Sequence, residues 1–347
     1  MAALLITDAR AATLDVVSPV YTVERLYKSM EGPQSAQPIA LLDSPVPELL
    51  WITGYRAVMV GADGTTPTLQ EFMCHSNLDF SQPDLHGSLF GMARSTNPRL
   101  FTLSQGQFDI RFPDGFGIPV LSTEPLSLTT QVLNHNVKGR TFQVRHHVSI
   151  DYVRDRESKV PMRPLFQSGV YGLARLNGTE HDAYFGVKEP DAAHHGSGCL
   201  LGQNASSHTY TDENGRVFTG HWVVKPGREV NHTLVTKLLN LPFDTTIHYI
   251  AVHLHPFAES LELRDLTTGE TLFMSRARNF SDRIGLEHVD FFASVEGLPV
   301  YKDHEYELVS SYNNTTTVDQ DSMAVMYLYL LDKAYQAPSL PAPHASP

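Results

Sequence analysis

The sequence predicts an all-β fold, and three observations carry that reading. Segments rich in Val, Ile, Tyr, Phe and Thr are short and end at Gly, Pro, Asn or Asp. No long stretch keeps an apolar repeat of helical period. At 347 residues the chain exceeds one comfortable core, so its strands divide between two domains. The expectation is two tandem antiparallel β-sandwiches, jelly-roll-like, each burying the alternate side chains of its strands.

An N-terminal extension (1–19) precedes a first sandwich (20–165) with strands expected at 49–60, 72–80, 129–134 and 143–153. The charged run Arg154-Asp-Arg-Glu-Ser-Lys159, followed by Pro161 and Pro164, marks the boundary. The second sandwich (166–335) carries strands at 221–224, 246–255, 260–265, 305–311 and 324–331. Between two of its strands Asp265-Leu-Thr-Thr-Gly269 is a hairpin signal, because Gly supplies the positive φ that such a turn needs. Residues 178–216 hold Gly, Ser, Asn and His with little alternation and read as a surface loop. The tail 336–347 is Pro-rich and expected to be extended.

Charge and composition narrow the classes of partner. The formal charge is -12, from 26 basic and 38 acidic residues, with no long basic run. Nucleic acid and anionic membrane surfaces both need a basic face, so neither is expected as a partner. No apolar run approaches the roughly 18 residues of a membrane helix, and the start shows no basic segment followed by a long apolar one, so no signal peptide is read there. Two cysteines, Cys74 and Cys199, are too few for a disulfide framework. Six Asn-x-Ser/Thr triplets, beginning at Asn177, Asn204, Asn231, Asn279, Asn313 and Asn314, matter only in a secreted eukaryotic setting.

The chemistry concentrates in the second half. His253 and His255 stand in the apolar run Ile-Ala-Val-His-Leu-His, where alternation along a strand sends both imidazoles to one face. Met323 follows in Asp-Ser-Met-Ala-Val-Met-Tyr. Imidazole suits copper in either oxidation state and a thioether suits Cu(I), so two His and one Met form a donor set for copper. Zinc sites rarely use methionine. Seventeen histidines make chance pairs common. His146-His147 can offer one ligand at most, since neighbouring strand residues face opposite ways, and His194-His195 falls in the loop.

The order Val224-Lys-Pro-Gly-Arg-Glu-Val-Asn, then Ile-Ala-Val-His253-Leu-His255, then Asp321-Ser-Met323, resembles the C-terminal domain of the copper type II, ascorbate-dependent monooxygenases, the peptidylglycine α-hydroxylating and dopamine β-monooxygenase family. The resemblance implies that His253, His255 and Met323 hold a catalytic copper and that Tyr327 lies near the substrate. It implies hydroxylation of a C–H bond of a small-molecule substrate with O2 and an external reductant such as ascorbate. It also suggests a periplasmic or secreted setting.

The first half resembles the family through Phe72-Met-Cys-His-Ser-Asn-Leu-Asp-Phe80 and Thr130-Gln-Val-Leu-Asn-His-Asn136. By that likeness His75 and His135 belong to a second, electron-donating copper and are expected to meet across an open cleft. Where the family has a His-His pair this chain has Cys74-His75, and an adjacent side chain is expected on the opposite face. A two-coordinate site, recruitment of Cys74, His86 or His147, and the absence of that site all stay open. Ala251 and Val325 stand where peptide-hydroxylating members hold a substrate carboxylate, so an uncharged substrate is expected, because a buried carboxylate without a partner is costly. Second-sphere candidates are His248, Asp321 and Glu259. The runner-up is a non-catalytic copper-binding protein for metal handling or electron transfer.

Overall fold

The structure, a computed structural model, describes residues 11–44, 46–91, 97–175, 209–211 and 217–340. The fold is all-β, with two packed, predominantly antiparallel sandwiches in tandem. A large sheet runs through both halves in the order Ala12–Val17, Phe142–Arg154, Leu49–Gly61, Phe116–Leu121, Arg163–Tyr171, Ala324–Leu331, Thr245–Leu254 and Phe292–Val300. The one parallel pairing in it, Arg163 with Phe116 and Pro164 with Gly117, joins the halves. A four-stranded sheet, Gln34–Ile39, Leu126–Val132, Met73–Phe80 and Arg99–Leu103, completes the first sandwich. A five-stranded sheet, Gly227–Leu234, Tyr306–Asn314, Ala258–Asp265, Glu270–Asn279 and Leu286–Val289, completes the second. Among the described residues no helix is long and apolar enough to cross a membrane.

Alternation along two strands explains how the halves adhere. On Thr245–Leu254, Ile250, Val252 and Leu254 enter the second core, while Tyr249 and Ala251 enter the first. On Ala324–Leu331, Ala324, Met326, Leu328 and Leu330 face the second core, whereas Val325, Tyr327 and Tyr329 face the first, together with Met323 just ahead of the strand. Ala324–Leu331 is therefore apolar on every residue and Thr245–Leu254 is apolar on both faces of its middle, Tyr249 to Val252, as expected where a sheet is covered on its two faces. Aromatic rings of both halves meet in the shared core, Tyr329 lying 5.7 Å from Phe101 and 4.8 Å from Phe112 between centroids.

Most expected strands lie within a few residues of the observed ones, and 324–331 coincides. Segment 12–17, within the N-terminal extension, is an edge strand of the large sheet. The Asp265–Gly269 signal is the turn of a hairpin, with Gly269 at φ 76°. The tail begins docked, Gln336 N–H donating to Phe90 O at 3.0 Å, and just ahead of it Tyr335 lies 5.6 Å from Trp51 between ring centroids. Cys199, His194, His195 and almost all of the 178–216 loop lie outside the described residues.

Candidate metal centre

His253 and Met323 are brought to the same face by the pairing of their strands. His253 is the register partner of Val325, and one step on His255 N–H donates to Met323 O at 3.3 Å. Partners directly opposite in an antiparallel pair project to one side, so His253, His255 and Met323 share the face turned to the first sandwich. All three are buried, at 5%, 3% and 2% exposure, which makes them ligands only for an ion held inside the protein.

The two imidazoles are oriented from outside. His253 Nδ1 hydrogen-bonds Ser104 Oγ at 2.9 Å, and His255 Nδ1 hydrogen-bonds the Asp321 backbone O at 3.4 Å and lies 3.1 Å from Asp321 Oδ2. Each interaction spends the δ nitrogen and leaves Nε2 for a metal, the arrangement by which carboxylates and hydroxyls fix metal-binding histidines. His253 Nε2 is buried without a hydrogen-bond partner. The ring centroids are 5.3 Å apart at 88°. Two imidazoles sharing a tetrahedral ion with bonds of about 2.0 Å stand about 5 Å apart, so the spacing fits a shared ion. Burial, followed by the neighbouring His255, His75, His221 and Arg99, holds the His253 pKa well below its usual value. The imidazole is neutral at pH 7, the form that binds metal. Burial pushes the Asp321 carboxyl up, but the His255 hydrogen bond and charge outweigh it and keep the group ionised.

The first sandwich brings His75 to the same place. Ser76 pairs with Leu103, and one step beyond, His75 stands beside Ser104, whose hydroxyl holds His253. His75 is 1% exposed and neither ring nitrogen has a hydrogen-bond partner. Burial first, then Arg99, His146 and His255, lowers its pKa to about 3. His135, in the loop after Leu126–Val132, has its Nδ1 buried without a partner; burial lowers its pKa and the Asp321 charge opposes that shift. Leaving a buried polar atom unsatisfied costs about 1–3 kcal/mol, so each of these nitrogens calls for a partner.

Cys74 corrects the expectation of an opposite-facing neighbour. Met73 pairs with Val132 and His75 with Gln131, so Cys74 is the extra residue of a β-bulge. Its sulfur lies 4.0 Å from Gln131 Oε1, on the side His75 occupies. Burial pushes the thiol up to about 12, with the Asp321 charge adding to the shift, and the thiol is free. The other two replacements are engaged elsewhere. His86 Nδ1 binds Glu124 at 2.8 Å and its ring stacks on Phe80, while His147 Nε2 lies 3.2 Å from Asp15 on the outer side of the large sheet. His146 is buried edge-on to Tyr21. Among the described residues no three His, Cys, Asp or Glu side chains converge on a metal position.

Of the second-sphere candidates, Asp321 is in place. His248 is held by Thr246 and Ser294, and Glu259 by Arg228 and Asn313. Two residues went unread in the sequence. Ser104 lies in Leu-Ser-Gln-Gly-Gln, which carries only a turn signal, and His221 stands alone in sequence yet its ring lies 6.1 Å from that of His255. Tyr327 is 2% exposed and faces the first core. Ala251 and Val325, both fully buried, offer no charge to a carboxylate.

No family model matches the sequence, and no curated protein does. Solved structures with a similar path include PBCV-1 VP54 fitted into a reconstruction of the virophage Sputnik (TM-score 0.36, 9% identity, 96% of this chain and 98% of that one). PNGase F, a glycosylasparaginase from Flavobacterium meningosepticum, gives 0.35 at 8% identity over 95% and 99%. A structure from Sulfolobus Turreted Icosahedral Virus gives 0.30 at 9% over 92% and 90%. Scores of this size say nothing about activity.

Proposed function

We propose that the chain is a copper-dependent monooxygenase-like protein that hydroxylates a C–H bond of a small or uncharged substrate with O2 and an external reductant such as ascorbate. The observation that carries this reading is the pair His253 and His255, each with Nδ1 engaged by Ser104 or Asp321, beside Met323 on one buried face. That donor set fits copper, which when bound would supply the oxygen chemistry. The chain's own residues orient the imidazoles, keep bulk water out and present a wall without a cation at Ala251 and Val325. His75 and His135, with buried nitrogens that lack partners, are the residues proposed to hold an electron-donating copper.

A second reading, a copper carrier without oxygenase activity, is favoured by the burial of His253, His255, Met323 and His75. Copper analysis after reconstitution and dialysis separates the readings, with His253→Ala and Met323→Ala alongside wild type. Two coppers per chain, one lost in each variant, together with reductant-dependent oxygen uptake, is the expected result. One copper lost in both variants, without oxygen uptake, selects the carrier. No stoichiometric copper in the wild type sinks both.

A further inference from the structure

Beside the metal centre a groove of about 750 Å³ opens where the loop after His135 meets the loop after Asn279. Its volume lies in the range of small-molecule sites, roughly 300–1,000 Å³. Both candidate copper sets reach it through chain neighbours: Asn136 follows His135, and Phe257 follows His255 and Pro256. From the groove's lining chemistry we infer that it binds a neutral, hydroxyl-rich ligand, a short oligosaccharide. As a substrate site this rests on the function proposed above; as a binding groove it does not.

Four observations carry the inference. First, the groove is fixed in advance. Asn136 holds the far loop with two hydrogen bonds, Nδ2 donating to Ile284 O at 2.8 Å and Oδ1 accepting from Ile284 N–H at 3.0 Å. Arg283 Nε donates to the buried Glu71 of the first sandwich at 2.6 Å. A wall held from both sides costs a ligand little ordering.

Second, Phe257 occupies the left-handed region, φ 72°, where a bulky side chain is an outlier. Its N–H donates to Asn279 Oδ1 at 2.7 Å and its carbonyl accepts from Asn313 N–H at 2.8 Å, so neighbouring groups enforce the conformation. Strain of this kind collects at ligand sites.

Third, the groove's cation is already spent. The one guanidinium of the described lining, Arg283, is bound to Glu71 and Asp282 and lies over the Phe280 ring at 3.9 Å. A carboxylate or phosphate ligand would find no uncommitted cation there. Fourth, what remains suits a sugar: the part-exposed Phe257 ring for the apolar face of a pyranose, and, for its hydroxyls, the atoms of the Asn313 amide and Glu259 carboxylate beyond their mutual bond (Asn313 Nδ2 to Glu259 Oε1, 3.3 Å) and the Glu259 Oε1 pairing with Arg228.

Calorimetric titration of the metal-free chain with cellotetraose, maltotetraose and chitotetraose tests this. Heat from at least one, with Kd below about 1 mM, is expected. Phe257→Gly removes the ring where glycine is at ease, so it should weaken that binding at least about tenfold without lowering the melting temperature. Silence from all three sugars, equal affinity in Phe257→Gly, or binding of spermidine in their place overturns the inference. Copper without sugar binding would sink the groove alone, and sugar binding without copper would sink the metal reading alone.

Discussion

Ser104 decides which nitrogen His253 can give to a metal. Its hydroxyl, 2.9 Å from Nδ1, fixes the ring from the first sandwich, while the ring itself belongs to the second. Ser104→Ala removes that hold without removing a donor. Copper affinity should fall about 10–100-fold, the usual range for a group that orients a metal ligand, while circular dichroism stays native. Competition with a chromophoric Cu(I) chelator reads the change, and unchanged affinity would show that the packing around His253 already sets its orientation. Asp321 acts on His255 in the same way but carries charge, so Asp321→Asn retains the geometry and removes the ion that stabilises a bound cation.

At the scale of elements, the turn 104–107 is what locks the strand bearing His253. Gln107 Oε1 accepts Val252 N–H at 3.0 Å, and Gln105 Oε1 accepts Leu286 N–H at 3.1 Å. Gly106 sits at φ 86°, and a Cβ there would come within 2.6 Å of Val289 Cγ2. Gly106→Ala adds left-handed strain of about 1–2 kcal/mol and pushes the sheets apart. Lower stability in urea and weaker copper binding together are expected; a loss of stability with copper affinity intact would free the metal face from this turn. The sequence made the His-x-His strand and its Met partner legible because alternation and apolar runs are written locally. It could not show Ser104 or His221, whose relevance arises only when distant segments meet. Cys74 was misplaced because a bulge breaks the two-residue period on which the facing rule depends.

The shared core makes the whole molecule the unit of folding. Tyr249, Ala251, Val325, Tyr327 and Tyr329 belong to strands of the second half but pack in the first core, so neither sandwich buries its own apolar surface completely. Unfolding one half would expose these side chains on the other, at about 1.5–3 kcal/mol for each large one. A single cooperative transition is therefore expected. The chain supplies its own probes: Trp51, 2% exposed and bonded to Asp155, lies in the first sandwich, and Trp222, 1% exposed and bonded to Glu229, lies in the second. Fluorescence of Trp222→Phe and Trp51→Phe variants in guanidinium should give coincident midpoints once each variant's own stability change is allowed for. Copper at 100 times its Kd should move both midpoints together, by about 2.7 kcal/mol of stability, because a centre at the interface is lost when either half opens. A copper-dependent shift confined to the Trp222 probe would instead place the ion wholly within the second sandwich and leave the first as an independent domain.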